Sequence, residues 1–303
     1  LSLDNLNVNN TGGYVSIPLL LSIICLVAIL IRSAVLERSS IVITGGIMES
    51  PENELLYLKE NPKAIFFTDF DGTITLKDCN DYLVDNFGFG MEMRRKLEME
   101  VMKGHMAFRD AFHAMLQSVQ MPLADCLRIV QDNIQLDPHF LDFYYWAKGC
   151  NIPIVVLSSG MTPFITMLLE SVLGSNPENI FVVANDVEPH SFGNKTTGSG
   201  WRIKYRDDSA FGHDKSLEIK PYFGLPSGNC PLLFYAGDGV SDLSAASQTH
   251  VLFAKEGLDL VDHCKERGIP FIPFDNWSSI LDTMQGIYEG LSRAGITGYS
   301  NVV

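Results

Sequence analysis

A doubly wound α/β fold on a mostly parallel sheet, with a smaller helical cap domain, follows from three features of this chain. Short runs that are apolar almost throughout recur between residues 64 and 274, as strands covered by helices on both faces require. Helix-like stretches alternate with them. Carboxylates, glycines and a serine collect where the runs end, the position at which open α/β sheets bind ligands.

The first run, "AIFFT" at 64 to 68, leads straight into Asp69, Asp71 and Gly72. From 79 to 149 the alternation stops. No strand is evident there, and amphipathic stretches stand at 79–87, 91–103, 107–119, 123–133 and 138–148, with Asp78 placed to N-cap the first. This interval reads as a helical insertion into a core made of 62–78 and 150–290. Further strand-like runs follow at 152–157, 180–184, 232–236, 250–254 and 271–274, with helices between them such as 162–173 and 241–248. The polar, glycine-rich segment 185–212 reads as a hairpin excursion.

The chain has 303 residues, 46% of them hydrophobic and 19% charged, enough for one large domain or two modest ones. A net charge of −14 argues against nucleic acid or an anionic membrane surface as the main partner. Six cysteines without a CxxC pair fit a reducing compartment, hence a cytoplasmic protein, and no zinc site. Residues 14–31 carry no charge, and about 18 such residues can span a bilayer. Arg32 and Arg38 after that run would leave the rest of the chain in the cytosol if it is an anchor. The other reading makes 1–47 an extension outside the working protein, which would then start at Met48.

Asp69 and Asp71 point the same way if the strand persists, and Gly72 permits a sharp turn. A calcium loop is excluded, because glycine falls at the fourth position rather than the sixth. Three other strand ends or helix starts supply partners. "LSSG" offers the Ser158 hydroxyl and backbone N–H groups near Gly160, "FGHDKSLEIK" offers Lys215, and "YAGDGVSD" offers Asp238 and Asp242.

On these motifs the sequence resembles the haloacid-dehalogenase superfamily of phosphatases over about residues 62 to 275. "DFDGT", "VVLSSG", Lys215 and "GDGVSD" stand as its four motifs, and the insertion at 79–149 is similar to its C1-type cap. Within that superfamily the chain looks like the phosphoserine-phosphatase branch and its polyol-phosphate relatives. The resemblance implies Asp69 as nucleophile forming an aspartyl-phosphate and Asp71 as acid, then base. It also implies Ser158, Gly160 and Lys215 as phosphate ligands and Mg²⁺ on Asp69, Asp238 and the Asp71 carbonyl, with Asp242 orienting Lys215 or a metal water.

Substrate choice is expected in the cap. Asp78 matches an acidic residue of phosphoserine phosphatases, but Met115 stands where they carry a carboxylate-binding arginine, and a thioether cannot pair a carboxylate. That favours a small sugar or polyol phosphate over phosphoserine, with Arg94, Arg95, Lys103 and Arg109 as other candidate contacts. The competing readings are a phosphoserine phosphatase, a phosphotransferase or mutase on the same fold, and a non-catalytic, membrane-tethered binding module. The sequence leaves the oligomeric state open.

Overall fold

A computed structural model describes residues 56–58, 61–190, 200–226 and 230–293. The apolar stretch at 14–31, and Met48 with it, lies outside these. Among the described residues no helix is long and apolar enough to cross a membrane.

Seven strands form one sheet: β1 (Ala64–Thr68), β2 (Ile154–Met161), β3 (Ile180–Pro189), β4 (Trp201–Lys204), β5 (Leu232–Gly237), β6 (Val251–Lys255) and β7 (Ile272–Phe274). Their order is β4-β3-β2-β1-β5-β6-β7. Every pairing is parallel except β3 with β4, the expected hairpin, whose connecting residues 191–199 lie outside the described set. All five residues of β1 are buried, which explains why its sequence does not alternate. Phe66 faces one layer with Phe234 and Phe253, while Phe67 and Tyr235 face the other with Ile219 and Tyr222. From β1 the chain moves to β2 and β3 on one side, then returns to β5 on the other. The crevice at the carboxyl ends of β1 and β5 is therefore the switch point where such sheets bind ligands.

Five helices separate β1 from β2: α1 (Cys79–Phe87), α2 (Met91–Met102), α3 (Phe108–Gln117), α4 (Leu123–Asn133) and α5 (Phe140–Gly149). The first four pack on one another and against α6 (Thr162–Leu173) and β4. Helix α5 differs from the expected grouping of the whole interval as one unit. The Phe143 ring lies 4.7 Å from both Phe66 and Trp277, and Phe140 lies 4.8 Å from Trp277. Five aromatic residues in "FLDFYYWAKG" make it a cover for the sheet, packed along α10 (Trp277–Arg293). The remaining helices are α7 (Ser216–Phe223), α8 (Leu243–Ala246) and α9 (Asp259–Arg267).

Strand β2 runs four residues beyond the expected end at 157, so Ser158 and Gly160 lie within it. Its pairing with β3 shifts register between Ser158 and Met161. Such irregularities re-aim side chains and recur beside active sites.

Candidate active site

The loop after β1 is fixed by its own backbone. The Asp69 N–H donates to the Ala236 carbonyl of β5 (2.8 Å), and the N–H groups of Ile74 and Thr75 donate to the Phe70 carbonyl (2.8 and 3.0 Å). Gly72 has φ +74°, and a Cβ there would stand 2.5 Å from Asp238 Oδ2. Only glycine satisfies both the left-handed backbone and that approach.

Asp69 is buried, and its Oδ1 accepts from the Phe70 N–H (2.7 Å) and meets Lys215 Nζ at 3.0 Å. The Asp71 carboxylate turns towards α1, accepting from the Cys79 N–H at Oδ1 (2.8 Å) and from Asn80 Nδ2 at Oδ2 (3.1 Å). Burial and the charge of Asp78 push Asp71 up to about 7, against those hydrogen bonds. A Cβ on Gly160 would lie 2.8 Å from Asp71 Oδ2, so the glycine of β2 makes room for this acid.

Lys215 is wholly buried at the start of α7. Burial alone would lower its pKa, but Asp242 at 2.6 Å and Asp69 hold it above the usual lysine value and keep it charged. Asp242 is anchored in turn. Its Oδ1 accepts from the Tyr235 hydroxyl (2.5 Å) as well as Lys215, and its Oδ2 accepts from the N–H groups of Asp238 (2.9 Å) and Gly239 (3.0 Å).

Carboxylate oxygens of Asp69, Asp238 and Asp242 lie within 4.8 Å of one another. Both Asp242 oxygens are occupied as described, and Lys215 balances that charge. Asp69 and Asp238 remain in excess. Burial first, then the neighbouring carboxylates, drive both well above the usual carboxylate range. Two hard oxygen donors with uncompensated negative charge beside a tight glycine turn fit a divalent cation of the oxygen-loving kind.

Ser158 is buried, and its Oγ accepts from the Gly160 N–H (2.9 Å), leaving the hydroxyl proton to donate elsewhere. Both residues line a cavity of about 190 Å³ with Asp69, Asp71 and Asp238. Its other wall comes from α1 to α3. Asp78 and Met115 line it as expected. Asp78 also N-caps α1, accepting from Asn80 N (2.6 Å) and Asp81 N (2.9 Å).

The four cationic candidates do not line the cavity. Arg94 is buried behind its wall, paired through two nitrogens with Asp85 (2.7 and 2.9 Å) and held by Asp81 and Glu98. Arg109 faces away. Its guanidinium lies 4.6 Å over the Tyr205 ring and donates to the Asp207 carbonyl (3.1 Å), which ties α3 to the loop after β4. Arg95 is exposed, and Lys103 pairs with Glu100 at 3.3 Å on the surface of the chain. These are the helix-face roles that most such charges fill.

Several contributors have no signature in sequence. Asn80 is an ordinary helix residue until its amide meets Asp71. Tyr235 sits in an apolar run that conceals its hydroxyl. Thr73, the last residue of "DFDGT", donates to Asp238 Oδ1 at 3.2 Å. Its place in the motif was the available signal. Asp81 and Glu98 line the cavity from α1 and α2, but surface helices are full of such acids.

Comparisons with known proteins give the family and the fold. The model of the haloacid dehalogenase-like hydrolases matches residues 66–247. The chain is 47% identical over 232 residues to Pdp3-interacting factor 1 of Schizosaccharomyces pombe, covering 76% of this chain and 99% of that protein. It is 44% identical over 235 residues to the polyol phosphate phosphatase PYP1 of Saccharomyces cerevisiae, covering 75% and 95%. Among solved structures, a substrate-bound phosphoserine phosphatase superposes with a TM-score of 0.53 at 16% identity, over 73% of this chain and 97% of that one, a likeness of fold.

Proposed function

The chain belongs to the haloacid dehalogenase-like hydrolase family, and on that premise we propose that it is a phosphatase of polyol phosphates that uses Mg²⁺ and an aspartyl-phosphate intermediate. The observation that carries the substrate class is the charge of the cavity. Seven carboxylates line it, from Asp69 to Asp259, and among the described residues no lysine, arginine or histidine does, Lys215 being wholly buried against Asp69. Burial and the charge of Asp78 push Asp81 up to about 9 even though Arg94 pulls it down, so this carboxyl can donate as well as accept a hydrogen bond near neutral pH. A leaving group with its own carboxylate, as in phosphoserine, would find no cation there to pair it. Hydroxyl groups would meet hydrogen-bonding partners, and Phe112 and Met115 would cover the carbon chain. The relative named as a polyol phosphate phosphatase supports the same class.

Each group has a role in this reading. The Phe70 N–H and Lys215 fix the plane of the Asp69 carboxylate, from which an oxygen attacks phosphorus as the bond to the leaving oxygen breaks. Asp71, held near neutrality in its pKa, passes its proton to the leaving alkoxide. It then takes a proton from the water that attacks phosphorus and releases Asp69. Ser158 and the backbone near Gly160 hold phosphoryl oxygens, and Lys215 offsets their charge from against Asp69. Asp69 and Asp238, with the Asp71 carbonyl, would hold Mg²⁺, which offsets repulsion between a carboxylate nucleophile and a phosphate dianion.

Turnover of a panel of phosphate monoesters with Mg²⁺ tests the substrate class. Alditol phosphates are expected to exceed phosphoserine in kcat/KM, and a protein that prefers phosphoserine over every sugar and polyol phosphate refutes it.

A further inference from the structure

Two cavity-wall carboxylates have no part in the phosphoryl chemistry. Asp81 on α1 and Glu98 on α2 both line the cavity, and one nitrogen joins them. Arg94 Nη1 meets Asp81 Oδ2 at 2.7 Å and Glu98 Oε1 at 2.5 Å. The rest of that guanidinium is fixed on Asp85. Their side chains keep 32% and 41% exposure, against 10% for the arginine. So the cation is spent behind the wall, and the carboxylates keep solvent-facing surface beside the cavity. A planar guanidinium with three carboxylate partners sets their positions more tightly than a surface ion pair does. A separate feature leaves a hydrogen bond for a ligand in the cavity to make. Ser159 lines it, is 8% exposed, and has a buried hydroxyl with no partner within the protein.

We propose that Asp81 and Glu98, set by Arg94, hydrogen-bond the hydroxyl groups of the leaving group remote from phosphorus, and so select chains that carry several hydroxyls. This rests on the polyol phosphate reading. Arg94 is a positioning residue in it, acting only through the two acids. A phosphate ester with no such hydroxyls, an aryl phosphate, has nothing to offer them.

The test compares kcat/KM for a five- or six-carbon alditol phosphate with that for p-nitrophenyl phosphate. Glu98→Gln should lower the alditol-to-aryl ratio about ten- to a hundredfold, the scale of a hydrogen bond to a charged group, and Asp81→Asn about two- to tenfold, the scale of a neutral one, with aryl turnover within about twofold of wild type. Arg94→Lys keeps a charge but cannot span three carboxylates. It should raise KM for the alditol phosphate and leave the aryl constants in place. If wild type turns over alditol phosphates and both acid variants keep the ratio, the proposal is overturned and the substrate class stands. If wild type turns over no alditol phosphate, both fall. Equal losses on both substrates in Arg94→Lys would make that arginine structural and remove its positioning role. A wild-type preference for the phosphate ester of an amino alcohol would also overturn the proposal, because an ammonium would then be what these acids hold.

Discussion

Asp69 and Gly72 illustrate how one short loop carries both chemistry and strain. Asp69→Asn keeps the shape but removes the nucleophilic charge, so kcat should fall by about 10⁴-fold or more. Its melting temperature should hold or rise, because a buried carboxylate close to Asp238 and Asp242 is removed. Steady-state kinetics and a thermal melt check both, and activity within tenfold of wild type would remove Asp69 as nucleophile. Gly72→Ala should cost about 1–2 kcal/mol for the left-handed backbone alone, and more for the collision with Asp238. Tyr235→Phe leaves Asp242 short of a donor. A loss of about 1.5–3 kcal/mol is expected, read by denaturant unfolding, with turnover reduced through Lys215. At this scale the sequence displayed the residues whose type is uncommon at a strand end: Asp69, Asp71, Ser158, Lys215, Asp238 and Asp242. It concealed Asn80 and Tyr235, whose roles arise only from what the fold sets opposite them.

Among the elements, strands and amphipathic helices were legible because each buries a face that its own sequence shows. Helices α1, α4 and α6 begin and end where their pattern does. The placement of α5 was not legible, since its aromatic residues would serve equally against other helices or a sheet. What decides is Trp277, more than a hundred residues later, whose ring lies against Phe140 and Phe143. Substrate contacts from Arg94 and Arg109 were expected for the same local reason: a cation in this interval reads as available until its partners are seen. Arg109 instead fastens α3 to the loop after β4, with the Tyr205 hydroxyl donating back to its carbonyl at 2.9 Å. Arg109→Ala should therefore loosen one wall of the cavity. A stability loss of about 1 kcal/mol and a several-fold rise in KM with little change in kcat are expected, from a melt and a substrate titration.

At the scale of the whole molecule, the charge left over at Asp69 and Asp238 would couple the fold to the proposed cation. Stripping divalent ions with a chelator should abolish turnover and lower the melting temperature, and Mg²⁺ should restore both. At a hundred times its dissociation constant the ion would add about 2.7 kcal/mol. Asp238→Asn should raise the melting temperature of the stripped protein and cancel the response to Mg²⁺. A melt unchanged by chelator and full activity in its presence would refute the metal assignment.

The bond from Trp277 Nε1 to the Thr73 carbonyl (2.9 Å) joins residues 204 apart, and β1 finds β5 only when residues 232–237 exist. On a ribosome, Asp69 and Asp71 leave the tunnel long before the strand and the indole that hold their loop. At about 5–20 residues per second, on the order of ten to forty seconds separate the two. Until residues 232–237 are made, the nascent chain carries an apolar first strand whose β5 neighbour is missing. Until the last helix is translated, the loop that carries Asp69 and Asp71 lacks the indole that fixes it.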